Sequence, residues 1–116
     1  MKSNNIILDK SMEFAIRIVK LDRYLKEKEF VLSKQILRSG TSIGANVNEA
    51  VYGQSRKDFA AKMGIALKEA SETRYWLTLM YRTDILCREE YESISSDCEE
   101  LIKLLTSIVR SASGET

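Results

Sequence analysis

The segment SRKDFAAKMGIALKEASETRYWLTLM, Ser55 to Met80, decides the fold. Phe59, Met63, Ala66, Ala70, Thr73, Leu77 and Met80 recur in alternating steps of four and three, the period of one face of an α-helix. Ser55 precedes the run and Asp58 stands three residues on, a variant of the capping box that opens a helix. At ~1.5 Å per residue such a helix is roughly 40 Å long, and nothing in it alternates with the period of a strand.

The same period extends in both directions. Downstream, Tyr91, Ile94, Cys98, Leu101, Leu105 and Ile108 form an unbroken seam, broadened by Ile102 and Val109. Glu89, Glu90 and Glu92 sit in its first turn, where the helix dipole favours anions. Asp84 to Cys87 reads as the turn between the two, and the tail after Ala112 is expected to fray. Upstream, Ile36, Gly40, Ile43, Val47 and Ala50 make a second-helix face, with Ser33 as a cap within its entry turn and Gly53 as a left-handed stop. Gly40 and Gly44 each cost about 1 kcal/mol against alanine inside a helix, so this segment needs tertiary packing, and small residues four apart admit a closely packed helix. At the start, Ile7, Phe14, Ile18, Leu21 and Leu25 share a stripe in which Ser11 fills the missing step. Met12, Ala15 and Val19 widen that stripe beyond one core seam, as in a helix that touches more than one neighbour.

The predicted architecture is therefore all-α: one domain over 1–116, an antiparallel up-and-down four-helix bundle with helices near 6–28, 32–52, 56–84 and 88–112. Its 116 residues suffice for a core without staples, and the absence of proline leaves the helices uninterrupted. Lys2 to Lys10 lacks the apolar middle of a signal peptide and no run nears the ~18 residues of a membrane span, so the expectation is a cytoplasmic protein with no membrane partner.

Histidine is absent, which removes Ser-His-Asp and Cys-His catalysis and the Glu-x-x-His metal motif of helical bundles. Cys87 and Cys98, eleven positions apart, match no zinc or redox spacing and read as reduced thiols, Cys98 in an apolar helix face. No catalytic residue, cofactor, metal or small-molecule substrate is expected.

Charge is unevenly shared: 11 Lys and Arg against 6 Asp and Glu up to Lys57, then 7 against 11 from Asp58. A solvated helix face explains any single residue; the asymmetry as a whole could serve subunit association or a polyanion. The candidate nucleic-acid residues are Lys10, Arg17, Lys20 and Arg23 on the first helix, with Lys34 and Arg38 at the entry to the second. Tyr24, Phe30, Tyr75, Trp76 and Tyr81 could stack on bases if exposed beside cations, but core or subunit burial is the commoner fate, and is favoured for Trp76.

The blocks QILRSGTSIGANVNEA, Gln35 to Ala50, and SRKDFAAKMGIALKEASETRYWL, Ser55 to Leu77, resemble the four-helix-bundle family of 23S rRNA intervening-sequence proteins. FAIRIVKL, Phe14 to Leu21, and EEYESI, Glu89 to Ile94, extend the similarity over nearly the whole chain. The resemblance implies a small bacterial bundle that assembles into a ring-shaped homopentamer and carries no enzymatic activity. Some relatives are encoded within insertions in large-subunit ribosomal RNA genes. A related branch serves diversity-generating retroelements, binding a reverse transcriptase and RNA through a basic surface. The implied function is a nucleic-acid-associated accessory protein whose partners are itself and structured RNA or an RNA-processing protein; the alternative is an oligomeric adaptor that touches no RNA. Within the matched blocks Ser39, Ser42, Asn46 and Glu49 share one face, with Lys62, Glu69, Glu72 and Arg74 as counterparts on the third helix. They read as a structural network that fixes helix register, with a ligand or RNA site at the same residues as the alternative.

Overall fold

The computed structural model describes residues 2–114. Four helices follow one another: α1 (Lys2–Leu25), α2 (Phe30–Val51), α3 (Arg56–Arg82) and α4 (Arg88–Ala112), with no strand among the described residues. Each helix packs on its neighbour in sequence and α4 returns to α1, while among the described residues the backbones of the diagonal pairs stay apart. Long helices joined by turns as short as Lys26–Glu29, Tyr52–Ser55 and Thr83–Cys87 must reverse direction at each one. The result is an antiparallel four-helix bundle of 43 × 23 × 20 Å. No helix among the described residues is long and apolar enough to cross a membrane.

The predicted stripes are the core. Ile7, Phe14, Ile18 and Leu25 of α1 meet Ile36, Ile43 and Val47 of α2, Met63, Ala66, Ala70, Leu77 and Met80 of α3, and Ile94, Cys98, Leu101 and Leu105 of α4. Ser11 is buried at the step it fills, donating its hydroxyl to the Leu8 carbonyl at 3.2 Å. Burial pushes the Cys98 thiol up to about 12, and its Sγ lies 3.4 Å from the Ala70 carbonyl.

Gly40 and Gly44 do what small residues four apart suggest. A methyl at Gly40 would lie 2.7 Å from Ile18 Cγ1, and one at Gly44 would lie 3.3 Å from the Ser11 carbonyl oxygen. The closely packed neighbour is α1. Asp22, buried on the same seam, takes the Lys34 ammonium at 3.1 Å.

Several boundaries differ from expectation. α1 ends at Leu25 rather than residue 28, because Leu25 is its last core residue and the charged residues beyond it have nothing to bury. It also starts earlier, at Lys2. The cap of α2 is Glu29, whose carboxylate accepts the Leu32 N–H at 3.4 Å; Ser33 lies fully buried inside the first turn and donates to the Phe30 carbonyl. Gly53 is not left-handed. It is required for space, since a methyl there would press on the Glu49 carbonyl oxygen at 3.0 Å and on the Asp58 carboxylate. Ser55 caps α3 as expected, accepting the Asp58 N–H at 3.0 Å. The left-handed positions are Asp84, in the α3–α4 turn, and Gly114, just after α4. The end of the tail expected to fray, residues 115–116, lies outside the described residues.

Candidate nucleic-acid interface

Of the six basic candidates, four are occupied inside the chain. Lys10 reaches Glu100 at 3.1 Å, and Arg17 reaches Asp97 at 2.6 Å and the Ser93 hydroxyl at 3.0 Å. Lys34 is held by Asp22, and Arg38 by Glu69 at 3.3 Å and by Glu72. The charge asymmetry along the sequence is thus largely an internal complementarity, in which basic α1 lies against acidic α4. It compensates a sparse contact: α1 and α4 approach each other least of the four neighbouring pairs.

Lys20 and Arg23 differ. They are exposed and form no ion pair among the described residues, and Lys26 and Lys28 behave alike just beyond the end of α1. Two exposed aromatic rings lie nearby, one beside the free Lys28 and one beside the paired Lys34. Tyr24 is 56% exposed with the Lys28 ammonium 4.8 Å from its centroid, and Phe30 is 63% exposed with Lys34 at 5.4 Å. The structure therefore moves the free basic surface from the side of α1 to the α1–α2 end of the bundle. The sequence contained one signal for this shift: charges placed after the last core residue of α1 cannot lie alongside α4.

Between α1 and α4 runs a cleft of about 510 Å³ floored by Leu21, Leu86 and Ile94. Its α1 rim carries Arg17 and Lys20 and its α4 rim Glu89 and Glu90. The acidic rim repels phosphate from the cleft, while the α1–α2 turn carries Lys26 and Lys28 with the exposed Glu27 between them.

The polar residues of α2 and α3 have different partners. Ser39 is fully buried and shares a 2.9 Å hydrogen bond with the hydroxyl of Thr73, a partner the spacing did not single out. Ser42 donates to the Arg38 carbonyl and Asn46 to the Ser42 carbonyl, both within α2. Glu49 pairs with Lys62 at 2.9 Å, which raises the Lys62 pKa. Arg74 faces α4 instead, 3.1 Å from Glu99. Trp76 is half-buried against the core and donates its indole N–H to Glu72 at 3.0 Å. Tyr81 stacks on Tyr91 with centroids 4.4 Å apart.

The Trp76 indole, and after it the Arg38 guanidinium, hold Glu72 below the ordinary carboxylate value of 4.5. This α2–α3 clasp is complete above that range and is lost as pH falls through the depressed value. Trp76 is the sole tryptophan, so its fluorescence should report the loss with a midpoint on the acid side of 4.5. A midpoint at or above 4.5 would contradict the clasp.

Comparison with known proteins agrees with this architecture. The family model described as 23S rRNA-intervening sequence protein matches residues 3–107. No curated protein matches. The crystal structure of a protein of unknown function from the S23 ribosomal protein family of Bacteroides thetaiotaomicron is similar at 59% identity and a TM-score of 0.90, over 93% of this chain and 98% of that one. With four helices in the expected order and the family match spanning nearly all of them, the chain belongs to the 23S rRNA-intervening sequence protein family.

Proposed function

We propose that this protein is a non-catalytic accessory protein that contacts RNA through the α1–α2 end of its bundle, in a ring of five copies. One observation carries the RNA contact: Lys20, Arg23, Lys26 and Lys28, exposed and without an ion pair among the described residues, flank the exposed Tyr24 in sequence, and the Lys28 ammonium lies 4.8 Å from its ring. Cations alone would read as a solvated face. Cations interleaved with exposed rings offer phosphate neutralisation and a stacking platform together, the combination that single-stranded nucleic acid uses. The family's name, with its reference to 23S rRNA, agrees with such a partner. The chain's net charge is only +1, so attraction is local to this end, and fivefold repetition raises it by effective concentration rather than by new contacts.

Fluorescence anisotropy with labelled single-stranded RNA tests the proposal. Affinity should vary little with sequence. It should fall log-linearly with salt at a slope of about −0.7 per phosphate neutralised, hence about −3 for four cations on one subunit. Absence of binding at low salt would overturn it. A second reading, an adaptor that binds protein and no RNA, is favoured by Tyr52, Ile65 and Tyr75, which are 73%, 41% and 60% exposed.

A further inference from the structure

The outward face of α1 carries a charge pattern that no ion pair among the described residues uses. Asp9, Met12, Glu13, Ile16, Lys20 and Arg23 follow one another in steps of three, one, three, four and three, on the side opposite Ile7, Phe14 and Ile18. All six are exposed, Met12 at 62% and Ile16 at 47%. None of the four charged residues forms an ion pair among the described residues. The order is acid, apolar, base. Asp9 lies seven residues before Ile16 and Arg23 seven residues after it, roughly 10 Å along the axis on either side. Glu13 and Lys20 stand three and four residues from the same centre.

Such a sequence of charges is complementary to itself when reversed. We propose that α1 docks antiparallel on α1 of a second copy, about a two-fold axis at Ile16. Ile16 then packs on its own counterpart with Met12 alongside, Asp9 faces Arg23 of the second copy, and Glu13 faces Lys20. A parallel pairing would place acid on acid and base on base. An unrelated partner would need the same charge order at the same spacing, whereas every copy of this chain already has it. The contact is isologous and closes after two chains. One helix on one helix buries less than the ~1,000 Å² of a permanent interface, so pairing depends on concentration and weakens with salt.

The pairing takes up Lys20 and Arg23, two of the cations proposed above to contact RNA, so RNA competes with it, and its readout is particle mass measured without RNA. If the chain forms rings of five, two rings joined through α1 hold ten chains. Light scattering at low salt should show an even number of chains in the wild type. Glu13→Lys and Lys20→Glu should each weaken the two-fold step by at least ~10-fold and halve the particle mass, since every reversal enters the contact twice. The two substitutions combined should restore the full mass. Ile16→Glu should halve it while leaving every basic residue in place. These side chains are exposed, so the helical circular dichroism spectrum should stay constant and separates lost pairing from lost fold. An odd number of chains in the wild type, a mass unchanged by the single reversals, or a double variant that stays at half mass would overturn the proposal.

Discussion

Reversing Lys26 and Lys28 to glutamate should weaken RNA binding about 100-fold at low salt and flatten the salt dependence by the contacts removed. Reversing Arg17 should do neither. Its guanidinium is spent on Asp97 and Ser93 of α4, and neither partner of the ion pair is buried, with side chains 39% and 47% exposed. Its loss costs up to about 1 kcal/mol of stability, and that cost is seen in denaturation rather than in affinity. Tyr24→Ala and Phe30→Ala complete the set. Stacking on a ring contributes about 1–3 kcal/mol per base and releases no counterions. These two variants should therefore lower affinity at every salt concentration while leaving the slope unchanged. Equal sensitivity at Arg17 and Lys28 would move the interface to the side of α1 and refute its placement at the turn. Loss of affinity without any ring effect would reduce the site to a diffuse charge patch.

The difference between Arg17 and Lys28 also shows where the sequence stops being informative. Both are cations on or just after one amphipathic helix, and their local context is alike. What separates them is whether an acid lies opposite after the bundle closes, and Asp97 is eighty residues away. Helical period fixes which face of α4 is polar, but not how far α4 slides against α1. The seams themselves were legible because apolar residues at steps of three and four have one economical arrangement, and all four helices formed where those steps occur. Termini were less so. Ser33 has the composition of a cap but lies where Ile36 and Leu25 close the core, and the capping falls to Glu29, a less favoured residue for the role. Gly53 stands where a left-handed helix stop is expected, but its constraint is crowding by Glu49 and Asp58, a tertiary fact. Ser39, Ser42, Asn46 and Glu49 have the spacing of one helix face. Their partners divided among α3 and α2 itself, and Arg74 turned to α4, because side-chain reach depends on the local separation of the helices.

Separation of helices is also what distinguishes Gly40 from Gly64, two glycines inside helices that helix propensity would treat alike. Gly40→Ala should destabilise the protein, and Gly64→Ala should stabilise it. In either helix the substitution recovers up to about 1 kcal/mol of propensity. At Gly64 no atom lies within 4 Å of the new methyl, so that gain stands unopposed. At Gly40 the methyl would lie 2.7 and 2.8 Å from the two γ-carbons of Ile18 and 3.2 Å from its β-carbon. Ile18 is fully buried, and a β-branched side chain in a helix has one strongly preferred rotamer, so it cannot swing aside. Relief requires α1 and α2 to part. That loosens the Gly44–Ser11 approach and the Asp22–Lys34 pair on the same seam. Overpacking of this kind costs about 1–3 kcal/mol and more where backbones must move, which exceeds the propensity gain. Urea unfolding at constant m-value measures both changes. Placing Gly40→Ala in an Ile18→Ala background isolates the clash with the γ-carbons, because both are then gone and only the 3.2 Å approach to the β-carbon is left to set against the propensity gain. The double-mutant cycle should show a favourable coupling of about 1–3 kcal/mol between the two sites. Additive effects would mean that Gly40 is there for some reason other than the approach of α1.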